Sequence, residues 1–85
     1  MDVIVYGSLR GATGSKETTI EFDGGTVEEA IAAFVEAYPR TRRMLFDDGD
    51  LRSSVRAQLD GERVEPTADC PPEAELALFP AMQGG

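Results

Sequence analysis

The sequence predicts an α+β domain in which one amphipathic helix covers one face of a four- to five-stranded sheet. Three observations lead to this prediction. Residues 26–38 form a single helical pattern, short runs rich in β-branched and aromatic residues lie on both sides of it, and an Asp60-Gly61 pair marks a hairpin. Because the apolar stripe of one helix must be buried, a sheet face is its economical partner.

The first part of the chain predicts two strands. Residues 3–6 are β-branched and aromatic and stop before a glycine, which is typical of a strand. Residues 7–16 hold three glycines with Ser and Thr, and this composition predicts a loop anchored by Leu9. Residues 18–22 alternate between polar and apolar side chains and end at the turn 23–25, so we expect a second strand there.

The helix is the clearest element of the sequence. Thr26 and Glu29 form a T-x-x-E capping box, in which each side chain satisfies the free backbone N–H of the other residue. Pro39 disfavours a helical residue before it, so we expect the helix to end near Tyr38. Six apolar residues recur at helical spacing and form the stripe: Val27, Ala30, Ile31, Phe34, Val35 and Tyr38.

The second part of the chain predicts three more strands. Residues 40–54 are ambiguous: Met44, Leu45 and Phe46 fit an anchored turn of helix, and residues 47–50 fit a β-turn. The predicted strands are 55–59, 62–65 and 75–79, with the hairpin turn at Asp60-Gly61, a loop over 66–72 and Pro80 as the end of the last strand.

Period-two alternation divides the side chains of the predicted sheet between two faces. The face expected to lie against the helix carries Val3, Val5, Ile20, Phe22, Val55, Ala57, Leu59, Leu76 and Leu78. The opposite face carries Ile4, Tyr6, Arg56, Gln58, Ala77 and Phe79. If Tyr6 and Phe79 are uncovered, they form an apolar patch of the kind that often marks a partner site. The alternative is that residues 40–54 fold over the two rings.

The composition excludes several classes of function. The chain has 85 residues, which is one domain, and its net charge of −8 argues against sequence-independent nucleic-acid binding. With no His and one Cys, it lacks a Ser-His or Cys-His pair, an imidazole ligand and an intrachain disulfide, so we expect neither an enzyme nor a metal site. Cys70 follows Asp69, and we expect an unreactive loop residue.

The acidic surface also bears on the protein's environment. A single lysine, Lys16, and a large acidic excess fit a halophilic protein, because concentrated salt screens the self-repulsion. An ordinary soluble acidic protein is the alternative. The apolar runs are short and the N-terminus has no basic region, so we expect a cytoplasmic monomer that does not bind membranes.

The sequence ends in two glycines, Gly84 and Gly85. Glycine has no Cβ, so such an end can enter a narrow slot and bring its carboxylate close to another reactive group. A carboxylate is a poor electrophile and must first be activated, usually as an acyl-adenylate made with ATP. A thiolate, a persulfide or an amine can then attack the activated carbon.

The chain resembles a known family at this point. The β-β-α-β-β-β order, the E-L-A-L-F-P run of residues 75–80 and the terminal Gly-Gly resemble the ubiquitin-like sulfur carriers of the molybdopterin synthase small-subunit and thiamine sulfur-carrier family. The acidic composition and the D-D-G-D-L turn resemble the archaeal members, the small archaeal ubiquitin-like modifiers. The resemblance implies a β-grasp fold with a mixed sheet over residues 1–80, followed by a tail over 81–85.

The resemblance also implies a carrier rather than an enzyme. Gly85 would be adenylated by a ubiquitin-activating-type enzyme that uses ATP, and the chain itself would hold no cofactor. The activated glycine would then become a thiocarboxylate for molybdopterin or tRNA thiolation, or be joined to a target-protein lysine by an isopeptide bond. The partners would be that activating enzyme and either target-protein lysines or a molybdopterin synthase large subunit.

The resemblance assigns site residues by number. Gly84, Gln83 and Met82 would lie in the channel of the partner, and Phe79 matches an aromatic that such carriers present to partners. The residues expected to dock are Phe79, Tyr6, Ile4 and Arg56. The alternative function is a β-grasp interaction module whose Gly-Gly end is incidental.

Overall fold

Five strands form one mixed sheet, and one long helix covers one of its faces, in a computed structural model that describes residues 1–80. The strands are β1 (Asp2–Val5), β2 (Glu17–Thr19), β3 (Gly25–Thr26), β4 (Phe46–Asp47), β5 (Asp50–Leu51), β6 (Arg56–Leu59), β7 (Glu62–Val64), β8 (Asp69–Cys70) and β9 (Leu76–Phe79). The helices are α1 (Leu9–Thr13), α2 (Val27–Ala37) and α3 (Arg42–Leu45), with a 3₁₀ turn at Pro39–Thr41 between the last two.

The main sheet has the order β2-β1-β9-β6-β7. The central strand β9 and its neighbour β1 come from opposite ends of the described chain and run parallel, with Val3 opposite Leu76 and Val5 opposite Leu78. The other neighbouring pairs are antiparallel. The predicted α+β class, with a mixed sheet and one main covering helix, is confirmed.

The capping box starts α2 as the sequence predicts. The Thr26 backbone N–H donates to the Glu29 carboxylate at 2.8 Å, and the Glu29 N–H donates to the Thr26 hydroxyl at 3.2 Å. The helix ends at Ala37 with Tyr38 as its C-cap, because Pro39 follows. The five inner members of the predicted stripe are buried, and Tyr38 is half-buried, with its hydroxyl hydrogen-bonded to that of Thr18.

The predicted covered face of the sheet is confirmed as the core face. Val3, Val5, Leu76 and Leu78 are completely buried beneath α2. Burying a side chain of this size stabilises the fold by about 1.5–3 kcal/mol. Ile20, Val55 and Ala57 are also buried, and Phe22 and Leu59 are half-buried against the same core: their burial follows the period-two prediction.

Two predictions for the first half of the chain are wrong in detail. The predicted loop 7–16 contains helix α1, which Leu9 anchors in the core and which Gly14 ends at a φ of 84°. Glycine has a low helix propensity, so a prediction from composition assigns this segment to a loop. The predicted strand 18–22 is shorter than expected, because ladder pairing with β1 covers only Glu17–Thr19.

The predicted turn and loop on either side of α2 form a short ladder instead. β3 pairs with β8, with Gly25 opposite Cys70 and Thr26 opposite Asp69. The loop prediction for 66–72 is therefore wrong at Asp69–Cys70. Gly25 has a φ of 152°, and a Cβ there would collide with the Glu29 carboxylate, so the strand and the capping box together require glycine.

The ambiguous segment 40–54 folds as a helical turn followed by a hairpin. α3 buries Leu45, and Met44, Phe46 and Leu51 are half-buried against the core. The expected turn over 47–50 joins β4 to β5. Its central residues, Asp48 and Gly49, have φ values of 57° and 87°, as a two-residue type I′ turn requires.

The hairpin predicted at Asp60-Gly61 is confirmed. The two residues have φ values of 51° and 87° and connect β6 to β7 in a type I′ turn. The Asp60 carboxylate accepts a hydrogen bond from the Glu75 backbone N–H at 3.0 Å, and this contact fixes the hairpin to the start of β9.

Candidate docking face and carrier tail

The sheet face opposite α2 is the candidate docking face, which we call the open face. Its side chains lie in rows across the strands, because paired residues in a ladder project to the same side. The middle row holds Glu17, Ile4, Ala77, Gln58 and Arg63 on successive strands. The expected alternative, that residues 40–54 cover this face, does not occur, since the apolar side chains of that segment pack against the core beneath the other face.

Tyr6 and Phe79 form the aromatic centre of the next row. The two rings are stacked, with centroids 4.4 Å apart and planes within 5° of each other. The Tyr6 backbone N–H donates to the Leu78 carbonyl at 3.1 Å, which extends the parallel pairing one residue beyond β1 and brings the rings together. Both side chains remain partly exposed, and offset stacking of this kind contributes about 0.5–1.5 kcal/mol beyond burial.

Two arginines flank the stacked rings. The Arg10 guanidinium lies over the Tyr6 ring, 5.6 Å from its centroid, and its Nε donates to the Val5 carbonyl at 3.2 Å. Arg56 is the ladder partner of Phe79, and its Nη1 donates to the Ser53 carbonyl at 2.9 Å. Arg10 was not among the residues that sequence reasoning selected, because helix α1, which positions it, was not predicted.

The four predicted docking residues therefore lie on one surface. Tyr6, Phe79 and Ile4 are partly exposed and Arg56 is exposed. Ala77, placed on the same face, is only 9% exposed, because its small side chain lies between Ile4 and Gln58 in the middle row. The face thus offers a shallow apolar centre with a charged border.

The described part of the chain ends at Pro80, directly after the stacked rings. Pro80 follows Phe79 and is buried. Gly7 has a φ of 62°, and a Cβ at Gly7 would lie 3.2 Å from the Pro80 ring, so this close contact favours glycine. The predicted tail residues Met82, Gln83, Gly84 and Gly85 lie outside the described residues. The Gly7–Pro80 contact therefore fixes the last residue before the predicted tail.

Cys70 has a different location from the one expected. It lies in β8 and is 1% exposed, so the prediction of a loop residue is wrong. Burial raises the pKa of its thiol, and the negative charge of Asp60 raises it further. Desolvation is the larger of these two causes of the raised pKa. A neutral, buried thiol is a poor nucleophile.

Among residues 1–80, no helix is long and apolar enough to cross a membrane. The longest, α2, has 11 residues. A bilayer-spanning helix needs about 20.

The mixed sheet, the single covering helix and the parallel pairing of the first and last strands define a ubiquitin-like β-grasp protein. Residues 3–85 match the sequence profile of the ThiS family. The chain belongs to the ThiS family of small sulfur-carrier-like proteins, and the resemblance seen in the sequence is confirmed.

Comparison with known proteins gives the same assignment. The chain is 32% identical to small archaeal modifier protein 1 of Haloferax volcanii over 87 residues, which covers 100% of both chains. The crystal structure of that protein superposes with a TM-score of 0.85 at 31% identity, covering 100% of this chain and 98% of the other. A chain of the Amycolatopsis orientalis BexX/CysO complex has the same fold, with a TM-score of 0.77, 24% identity and coverage of 99% and 98%.

Proposed function

We propose that this protein is a ubiquitin-like carrier whose Gly85 carboxylate is adenylated by an ATP-dependent activating enzyme of the ubiquitin-activating type. One observation carries the proposal. The match to the ThiS family extends through residue 85, so the Gly84-Gly85 pair lies inside the matched region. The similarity to a small archaeal modifier protein over the full length of both chains supports the same function.

The proposed chemistry begins with attack on ATP. A Gly85 carboxylate oxygen attacks the α-phosphorus of ATP, pyrophosphate leaves, and an acyl-adenylate forms. This mixed anhydride makes the glycyl carbon electrophilic, with AMP as the leaving group. Catalysis belongs to the partner, which also binds ATP. This chain supplies the carboxylate and the surface by which it is recognised.

Two nucleophiles give two products from the same adenylate. A partner persulfide displaces AMP to give an acyl disulfide, and a partner thiol then cleaves its S–S bond, which leaves a thiocarboxylate on Gly85 and a disulfide on the partner. This thiocarboxylate would donate sulfur for molybdopterin or tRNA thiolation. Alternatively, a target lysine amine displaces AMP, loses a proton and forms an isopeptide bond. We propose that the chain serves both uses.

The open face is the proposed recognition surface. Tyr6, Phe79, Ile4 and Arg56 would contact the activating enzyme, while Met82, Gln83 and Gly84 extend into its channel. This arrangement is supported by the position of Pro80, the last described residue, which follows Phe79 of the stacked pair and lies against Gly7. Because ATP is required, we place the reaction in the cytoplasm.

The test is an intact-mass measurement. The purified chain is incubated with ATP and an extract of the cells that produce it, beside a variant lacking Gly84-Gly85. A mass gain equal to sulfur replacing one oxygen identifies the thiocarboxylate, and larger covalent adducts identify conjugation. Both products should require ATP and should be absent for the deletion variant. If the full chain gives neither product, the carrier function is wrong, and an interaction module with an incidental Gly-Gly end replaces it.

A Lys16→Arg variant serves as the matched control for adduct analysis. Lys16 is the only lysine, and the N-terminal ammonium donates to the Ile20 carbonyl at 2.8 Å. Adducts between two copies of the chain should therefore disappear in Lys16→Arg, whereas adducts to other proteins and the thiocarboxylate should persist. Loss of all products in this variant would show that Lys16 is needed for activation itself.

A further inference from the structure

The open face is electrostatically divided along the strand direction. The central strand β9 and its neighbour β1 run parallel, so one end of the face holds the start of both strands and the other end holds Phe79, followed by Pro80, the last described residue. We call these the start end and the tail end. Acidic side chains dominate the first, and guanidinium groups dominate the second.

The start end carries two exposed carboxylates, Asp2 and Glu75, and the N-terminal ammonium, which donates to the Ile20 carbonyl at 2.8 Å. Asp2 and Glu75 alternate with the buried Val3 and Leu76, so both project from the open face. A third exposed carboxylate of the open face, Glu17, lies in the middle row opposite Ile4 and shares that row with Arg63. The Thr19 hydroxyl donates to the Asp2 carboxylate at 3.2 Å, which fixes that acidic group in place.

The tail end carries the opposite charge. Arg10 lies over Tyr6, Arg56 pairs with Phe79, and both guanidinium groups are held by backbone carbonyls. The chain has only eight basic residues against 16 acidic ones, yet two of the eight border the aromatic pair. The aromatic pair is therefore bordered by positive charges in a chain whose net charge is −8.

The two ends are far enough apart to be recognised separately. Asp2 and Tyr6 are four residues apart along one strand, which is about 13 Å at the usual rise per residue. That distance exceeds the Debye length of about 8 Å at physiological ionic strength, and it exceeds it further in concentrated salt. Each end therefore requires its own complementary charges in direct contact, because a distant charge is screened.

We infer that the open face is recognised by a protein surface with an apolar pocket for Tyr6 and Phe79, acidic side chains around the entrance for the tail, and basic side chains opposite the start end. This inference rests on the proposed function, in which that surface belongs to the activating enzyme. The charge pattern fixes the orientation of docking, since a reversed orientation would place carboxylates against carboxylates and guanidiniums against guanidiniums. The docked orientation directs the tail into the enzyme.

The experiment compares charge reversals that are matched in net charge. One variant combines Arg10→Glu with Arg56→Glu, and its control combines Arg40→Glu with Arg43→Glu at exposed positions after α2. The enzyme is the fraction of the cell extract that catalyses ATP–pyrophosphate exchange dependent on this chain. We expect the tail-end variant to raise the KM for the chain about tenfold or more, and the control to change it less than about twofold.

The start end is tested in the same way. Asp2→Lys with Glu75→Lys is compared with Asp23→Lys and Glu36→Lys, which are exposed and lie outside the open face. We expect the first pair to raise the KM and the second pair to leave it nearly unchanged. Circular dichroism on each variant establishes that it is folded, and Arg56→Gln alone provides a milder variant with a smaller KM increase.

The outcomes separate this inference from the proposed function. Equal increases in KM for the tail-end variant and its control would show that the charge pattern does not guide docking. If ATP–pyrophosphate exchange still required Gly84-Gly85, the proposed carrier function would stand. If no extract fraction shows exchange dependent on Gly84-Gly85, the carrier function fails, and the inference fails with it. An effect on kcat without an effect on KM would also overturn the inference, because docking charges act on binding.

Discussion

The two faces of the main sheet are built from the same strands, but one is buried in the core and the other is partly exposed. Leu78 and Phe79 are adjacent in β9, yet Leu78 is completely buried under α2 and Phe79 stacks on Tyr6 at the open face. Both faces are apolar at their centres. The difference is that the helix covers one of them, while among the described residues no element covers the other. A covered face stabilises the fold, and an uncovered apolar face is available to a partner.

The largest effect expected is at the covered face. Leu78→Ala removes a fully buried side chain from the centre of the core, so we expect it to lower the free energy of unfolding by about 2–5 kcal/mol. A domain of this size has about 5–15 kcal/mol in total, so the loss should be visible as a large shift of the urea midpoint. A shift no larger than that of Phe79→Ala would contradict the assignment of faces.

The neighbouring substitution should affect binding more than folding. Phe79→Ala removes a partly exposed ring and its stacking on Tyr6, so we expect a smaller loss of stability, about 1–2 kcal/mol. The domain should remain folded. The KM for the chain in the exchange assay should rise about tenfold, since buried aromatic anchors dominate protein interfaces. Global unfolding of this variant would show that Phe79 belongs to the core.

The capping box holds the helix that covers the core face. Thr26→Ala removes the hydroxyl that accepts from the Glu29 N–H, and we expect a loss of about 1 kcal/mol in the free energy of unfolding. Thr67→Ala is the control, because Thr67 is exposed and outside every helix and strand; its effect should stay within about 0.5 kcal/mol. Equal losses in the two variants would show that the capping box does not stabilise the helix.

The smallest effect is expected at Cys70. Its pKa is raised by burial, so the folded protein keeps the thiol protonated at a pH where the unfolded chain has already lost the proton. The stability of the native protein should therefore fall, relative to Cys70→Ala, as the pH rises above the ordinary pKa of a thiol. Iodoacetamide should label Cys70 slowly until denaturant is added. Rapid labelling of the folded protein would contradict its burial.

Sequence reasoning found the elements with strong local signals. The capping box of α2, its buried stripe and the Asp60-Gly61 hairpin each depend on residues close together in the chain. The division of the sheet into two faces was also predictable, because alternation has a fixed period of two. Alternation alone therefore predicts that Tyr6, Phe79, Ile4 and Arg56 share one surface.

The features that were missed depend on contacts between distant residues. The β3–β8 ladder has two residues in each strand, too few to show a period, and it forms because Gly25 and Cys70 meet across the domain. Helix α1 is short and contains a glycine, so the burial of Leu9 rather than local propensity holds it in place. Its absence from the prediction explains why Arg10 was overlooked.

If this chain is a carrier, sulfur or a target lysine becomes bonded to Gly85, and peptide mapping locates that bond. Trypsin cuts after Arg63, the last basic residue, and releases residues 64–85 with both Cys70 and Gly85 in one peptide. After incubation with ATP and extract, fragment ions should place a sulfur-for-oxygen exchange, or the bond to a lysine, at Gly85. Sulfur added at Cys70 as a persulfide, with Gly85 unchanged, would contradict the carrier function.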